Sequence, residues 1–154
     1  MILLGDLLQA ECVELYPRAT SREAAIREIA ALIEHDPRVL DWEELHRSVS
    51  ASAPCIMEQG ASFCLCIPHA RTASVTDMVM SVGRFDRGLR VAGVEQPVRY
   101  IFCIAVPPEL ATDYLRIIGL LARIAKDPES EQQIYNAVTA EEFIRTLARL
   151  EAKL

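Results

Sequence analysis

His69 and Arg71 are the residues whose types and position best suit chemistry in this chain. They follow Phe63-Cys64-Leu65-Cys66-Ile67, five apolar residues in a row, closed by Pro68. A short apolar run of strand-compatible residues ended by proline reads as a buried strand. Proline has no backbone N–H and a fixed φ, so the strand is expected to stop there. His69 then stands where a rigid element reaches the surface, held still by its scaffold yet accessible. A neutral imidazole nitrogen is nucleophilic near pH 7 and can carry a transferred group. Arg71 is the nearest cation in sequence.

Other candidate chemistry is weaker. Cys64, Cys66 and His69 form Cys-x-Cys-x-x-His, and with Cys55 they offer zinc a ligand set. Structural zinc sites put paired cysteines on flexible knuckles rather than inside an apolar strand, so no metal is expected. Nothing in the sequence points to a lowered thiol pKa. His35 closes a helix and His46 lies beside Arg47 on a short helix, so both read as partly exposed histidines without a chemical role. No Gly-x-Gly-x-x-Gly and no phosphate-cradling glycine loop is present.

The elements that must position His69 are legible in outline. Cys12-Val13-Glu14-Leu15 alternates as a short strand does. Thr20 and Glu23 read as a capping box opening a helix through Ile26, Ile29 and Ile33, ended near Asp36-Pro37. Asp41 and Glu44 repeat the pattern before Leu45 and Val49. Ser48 to Gly60 is small, polar and aperiodic, and reads as a loop. Strands are expected at 78–82 and, as a short edge strand, at 89–91, with Gly83 and Gly88 bracketing the connection between them. The strongest strand is 98–106, apolar on both faces in its second half and therefore central. Helices follow at about 110–126, from Pro128 with Ile134 and Val138 inward, and from Thr139 with Phe143, Leu147 and Leu150 inward. The link from 82 to 98 is too short for a typical crossover helix, so the sheet should be mixed. The expected architecture is one α/β domain over residues 1–154, a mixed β-sheet flanked by helices.

Composition bounds the function classes. Of 154 residues, 51% are apolar and 25% charged, an ordinary globular balance. The net charge of −6 and the absence of a basic stripe argue against nucleic acid as the main partner. No apolar stretch approaches the ~20 residues that span a bilayer. Asp6 interrupts the first apolar run, so a secretory signal is not expected. Five cysteines, mostly in apolar runs, fit reduced thiols in a cytoplasmic protein.

Ile67-Pro68-His69-Ala70-Arg71 resembles the phosphorylation-site motif of the fructose/mannitol-type enzyme IIA domains of the bacterial phosphotransferase system, a family that includes the nitrogen-regulatory enzyme IIA proteins. The resemblance extends to Asp6-Leu7-Leu8 with the helix of Arg22–Ile33, to Gln96-Pro97-Val98 with the strand behind it, to Asp113-Tyr114-Leu115 with its long helix, and to Thr139–Phe143. It implies that phosphoryl passes from phosphoenolpyruvate through enzyme I and the carrier HPr to His69, with Arg71 and Tyr114 as neighbours. It implies no cofactor, and as further partners an enzyme IIB or regulated target proteins. The family's second histidine corresponds to Tyr114, its glycine five residues before the active histidine to Cys64, and its upstream Arg-Glu pair to Ala53-Pro54. No transport segment is visible, which by analogy with the nitrogen-regulatory branch favours a regulatory role.

Overall fold

The computed structural model describes residues 1–52, 55–56 and 63–153, for Cys55 and Ile56 the backbone alone. A short helix α1 (Leu4–Leu7) and a 3-10 turn lead into strand β1 (Val13–Glu14). Helices α2 (Arg22–Ala30) and α3 (Trp42–Ser52) follow, then strands β2 (Cys55–Ile56), β3 (Cys64–Cys66), β4 (His69–Arg71), β5 (Val79–Leu89) and β6 (Val98–Val106). Helices α4 (Ala111–Lys126), α5 (Pro128–Tyr135) and α6 (Ala140–Lys153) close the chain. The strands form one mixed sheet in the order β1-β5-β6-β3-β2, with β4 also paired to β6. β6 is central, as its two apolar faces require: β5 pairs antiparallel on one edge, and β3 and β4 pair parallel on the other.

Helices cover both faces. Ser81 and Gly83 of β5 meet Ile29 of α2, the Ser81 hydroxyl donating to the Ile29 carbonyl at 2.7 Å. Tyr100 of β6 faces the opposite way, its ring 6.5 Å from that of Phe143 on α6 and its hydroxyl donating to Glu131 on α5. Arg84 is 3% exposed, and its guanidinium is satisfied by the Ile134 and Ala137 carbonyls and by Asp86. A buried charge is tolerable on those terms.

Several expectations change in detail. β5 is one eleven-residue strand, not a strand, a connection and an edge strand. Gly83 lies inside it because a Cβ there would fall 2.3 Å from Ile29 Cδ1, so glycine serves close packing of helix on sheet. The turn into β6 stands where the sequence also reads one, at Gly93 to Pro97, and Gly93 takes φ 78°. Pro68 does not end pairing. Its carbonyl still accepts from the Ile104 N–H at 2.9 Å, and β4 resumes on the same edge of β6. Ser48 to Ser52 is helical and Cys55–Ile56 pairs with β3, while the rest of the expected loop lies outside the described residues. Ser21 rather than Thr20 caps α2, accepting from the Ala24 N–H. Val138 is 67% exposed, because α5 ends at Tyr135 and Ala137 takes the inward place.

Gly83→Ala should destabilise the fold by about 1–3 kcal/mol through overpacking. Ile29→Val, which removes the crowding methyl group, should return part of that loss. A double-mutant cycle in urea checks it: additive effects would show that the two residues do not crowd each other.

Candidate functional site

His69 opens β4 directly after Ile67-Pro68. Its ring lies back over its own chain, with Nδ1 2.8 Å from the Ile67 carbonyl oxygen. A carbonyl can only accept, so Nδ1 carries the proton of the neutral ring and Nε2 carries the lone pair. The backbone of His69 is held too. Its N–H donates to Ser52 Oγ at 2.9 Å, and the Ser52 hydroxyl donates to its carbonyl in a short hydrogen bond.

The ring lines a cleft of about 410 Å³ with Ser52, Ala70, Arg71, Ala111, Tyr114 and Leu115. The cleft lies where β4 and β6 end and α4 begins, outside the carboxyl ends of parallel strands, a recurrent place for sites in α/β sheets. His69 and Arg71 stand two residues apart on one strand and so share a side of it. Arg71 is exposed, and Ala111 brings the start of α4 to the rim, where a helix favours negative charge. A larger cleft of about 540 Å³ lies elsewhere, lined by Thr20–Glu23 and by Arg90, Val91, Ala92 and Val94, with no histidine or cysteine among them.

Tyr114 faces His69 with ring centroids 5.3 Å apart at 45°. Burial raises its phenol pKa, and the charge of Arg71 pulls it back down in part. The hydroxyl therefore stays protonated at neutral pH and can donate a hydrogen bond.

The three expected site residues, His69, Arg71 and Tyr114, thus meet in one cleft although Tyr114 is 45 positions from His69. Cys64 is fully buried and does not line it. Arg47 is turned to Glu44 on its own helix, at 2.6 Å. Ala53-Pro54 lies outside the described residues. His46 stacks on Trp42 with centroids 5.6 Å apart, and the His35 side chain is 93% exposed. Cys64 and Cys66 lie in the core, and no cluster of three metal-ligating side chains exists among the described residues. Ser52 and the Ile67 carbonyl were not foreseen. The first sits in a stretch that reads as loop, and the second is a backbone atom that no residue type announces.

The profile described as "Phosphoenolpyruvate-dependent sugar phosphotransferase system, EIIA 2" matches residues 6–150, and the chain belongs to this family, of fructose/mannitol type. A relative at 29% identity over 154 residues is the PTS system 2-O-alpha-mannosyl-D-glycerate-specific EIIABC component of Escherichia coli K12. The match takes in 96% of this chain but 23% of that protein's length. The fold is similar to that of nitrogen regulatory protein IIA-Ntr from Neisseria meningitidis, with a TM-score of 0.77 at 22% identity over 94% of this chain and 98% of the other. It is similar as well to enzyme IIA mannitol of Escherichia coli in complex with phosphorylated enzyme IIB mannitol, with a TM-score of 0.71 at 16% identity over 92% and 97%. No helix among the described residues is long and apolar enough to cross a membrane.

Arg71→Ala should raise the Tyr114 pKa further, since a cation that favours the phenolate is lost. An NMR titration of the tyrosine ring carbons checks this, and a fall would overturn the assignment. Tyr100, also pushed up mainly by burial, acts with Tyr114 on stability. Both are raised above their unfolded value near 10, so the stability they contribute is complete below that pH and is lost as pH rises toward their folded values. Denaturant midpoints should accordingly fall above pH 10.

Proposed function

We propose that this chain is a histidine phosphocarrier that takes phosphoryl on Nε2 of His69 from an HPr-type donor and passes it to an enzyme IIB-type acceptor. The observation that carries the reading is the contact of His69 Nδ1 with the Ile67 carbonyl at 2.8 Å. It fixes one tautomer, the one whose lone pair is on Nε2.

In the transfer, that lone pair attacks phosphorus, and the bond from phosphorus to the donor breaks with its electron pair leaving on the donor. Nδ1 keeps its proton, and the Ile67 carbonyl dipole stabilises the positive charge that develops on the ring. Alignment and oxygen-stabilising donors do most of such work. Arg71 supplies full charge to the phosphoryl oxygens, the neutral Tyr114 hydroxyl supplies a hydrogen bond, and the start of α4 adds its partial charge. Discharge to a second protein reverses the same step.

Family membership supports an HPr-type donor, and the complex of mannitol IIA with phosphorylated IIB supports an enzyme IIB-type acceptor. The mannosylglycerate-specific relative supports work in sugar uptake. Such a relay is cytoplasmic work. A second reading, a nitrogen-type regulatory module with weak phosphotransfer, is favoured by Tyr114, which cannot take the positive charge that a second histidine would.

Incubation with phosphoenolpyruvate, enzyme I and HPr should give an acid-labile adduct that His69→Ala abolishes. No adduct under conditions that label a control enzyme IIA would reject the phosphocarrier reading, and labelling that survives His69→Ala would reject the site. A pull-down with wild type and His69→Asp separates the roles: partners that differ between them support regulation, and identical partners remove it.

A further inference from the structure

We propose that Ser52 is a positioning residue for the acceptor: its hydroxyl replaces a neighbouring strand along β4 and holds the His69 backbone so that the ring stays on the Ile67 carbonyl. The inference rests on the phosphocarrier reading for its consequence in rate, but not for its consequence in ring geometry.

Among the described residues β4 has one strand beside it. The Pro68 carbonyl accepts from the Ile104 N–H, and the Thr72 N–H donates to the Val106 carbonyl, both at 2.9 Å. Backbone groups alternate sides along a strand, so those of Pro68, Ala70 and Thr72 face β6 and those of His69 face away. Among the described residues no strand covers that outer edge. Ser52, the last residue of α3, answers it instead. Its oxygen accepts from the His69 N–H at 2.9 Å, and its hydroxyl donates to the His69 carbonyl, the nearer of two acceptors, the other being the Val49 carbonyl at 3.2 Å. One side chain thereby makes both bonds that a paired residue would make.

The geometry says why this matters to the ring. Only Pro68 separates the Ile67 carbonyl from His69, so the 2.8 Å contact depends on the backbone angles of Pro68 and His69. The proline ring fixes φ of Pro68. The Pro68–His69 peptide is held from both sides, by Ile104 at the Pro68 carbonyl and by Ser52 at the His69 N–H, and Ser52 adds a bond to the outward-facing His69 carbonyl. Ser52 is itself exposed, so water can replace its bonds when it is removed. Folding should then survive while the ring orientation does not.

Three variants test this: Ser52→Thr keeps the hydroxyl, Ser52→Ala removes it, and Ser52→Cys keeps the size with a weak hydrogen-bonding group. Two readouts are taken, the rate of labelling by phospho-HPr and the 15N shifts of the His69 imidazole in the unphosphorylated protein. Ser52→Thr should label within about twofold of wild type and show the same Nδ1–H tautomer. Ser52→Ala and Ser52→Cys should label about tenfold more slowly, in keeping with small misplacements of a reacting group. Their ring nitrogens should shift toward a mixture of tautomers while circular dichroism stays that of wild type.

Wild-type shifts in both Ala and Cys variants would overturn the proposal, whatever their rates. If Ser52→Ala does not fold, the Thr and Cys variants decide by the same two readouts. If wild type itself accepts no phosphoryl, the phosphocarrier reading fails, and Ser52 is judged on the imidazole shifts alone.

Discussion

The site depends on how one edge of β6 is shared. β3 and β4 both pair with that edge in the same direction, Cys66 opposite Ile101 and His69 opposite Ile104. Between them stand Ile67 and Pro68, and proline has no N–H to give to the ladder. The chain nevertheless keeps step with β6, because the Pro68 carbonyl still accepts from the Ile104 N–H. Strand alternation then turns the His69 peptide groups to the open side, toward α3, while the Ile67 carbonyl meets the imidazole.

The cleft around the ring joins two kinds of positive potential. Arg71 is an exposed full charge at the end of a short strand, and the start of α4 is a partial one. Tyr114 adds a hydrogen-bond donor whose proton is retained because burial disfavours the phenolate. A donor without charge stabilises an incoming anion less than a cation does. It also imposes no charge change of its own across the physiological pH range, as a second histidine would.

The frame behind this cleft is held by polar groups paired between α5 and the strands β5 and β6. Glu131 of α5 takes Arg99 at 2.8 Å and the Tyr100 hydroxyl at 3.2 Å, while Arg99 lies over the Tyr135 ring at 4.4 Å. Arg84 ties the end of α5 to β5 through two carbonyls. These contacts hold α5 to the two longest strands, so β6 offers β4 a fixed edge.

Much of the architecture follows from local pattern. The two apolar faces of Val98–Val106 required a central strand, and the short link before it required an antiparallel partner. Proline and aspartate at Asp127-Pro128 and the Thr139–Glu142 pair marked helix starts that the backbone keeps. His69 and Arg71 were legible as neighbours just past the apolar run, but not as two residues on one side of a strand, because Pro68 reads as the strand's end. Other features were not, because they depend on contacts distant in sequence. Gly83 reads as a turn until Ile29 is seen against it, and Pro68 reads as a strand end until Ile104 is seen to reach its carbonyl. The sequence by itself determined which histidine stands on the sheet edge and what chemistry an imidazole there can do. Tertiary structure alone decided which ring nitrogen is free and that Ser52, 17 residues away, holds the peptide behind it, because both follow from a backbone contact and a docked helix that no local spacing records.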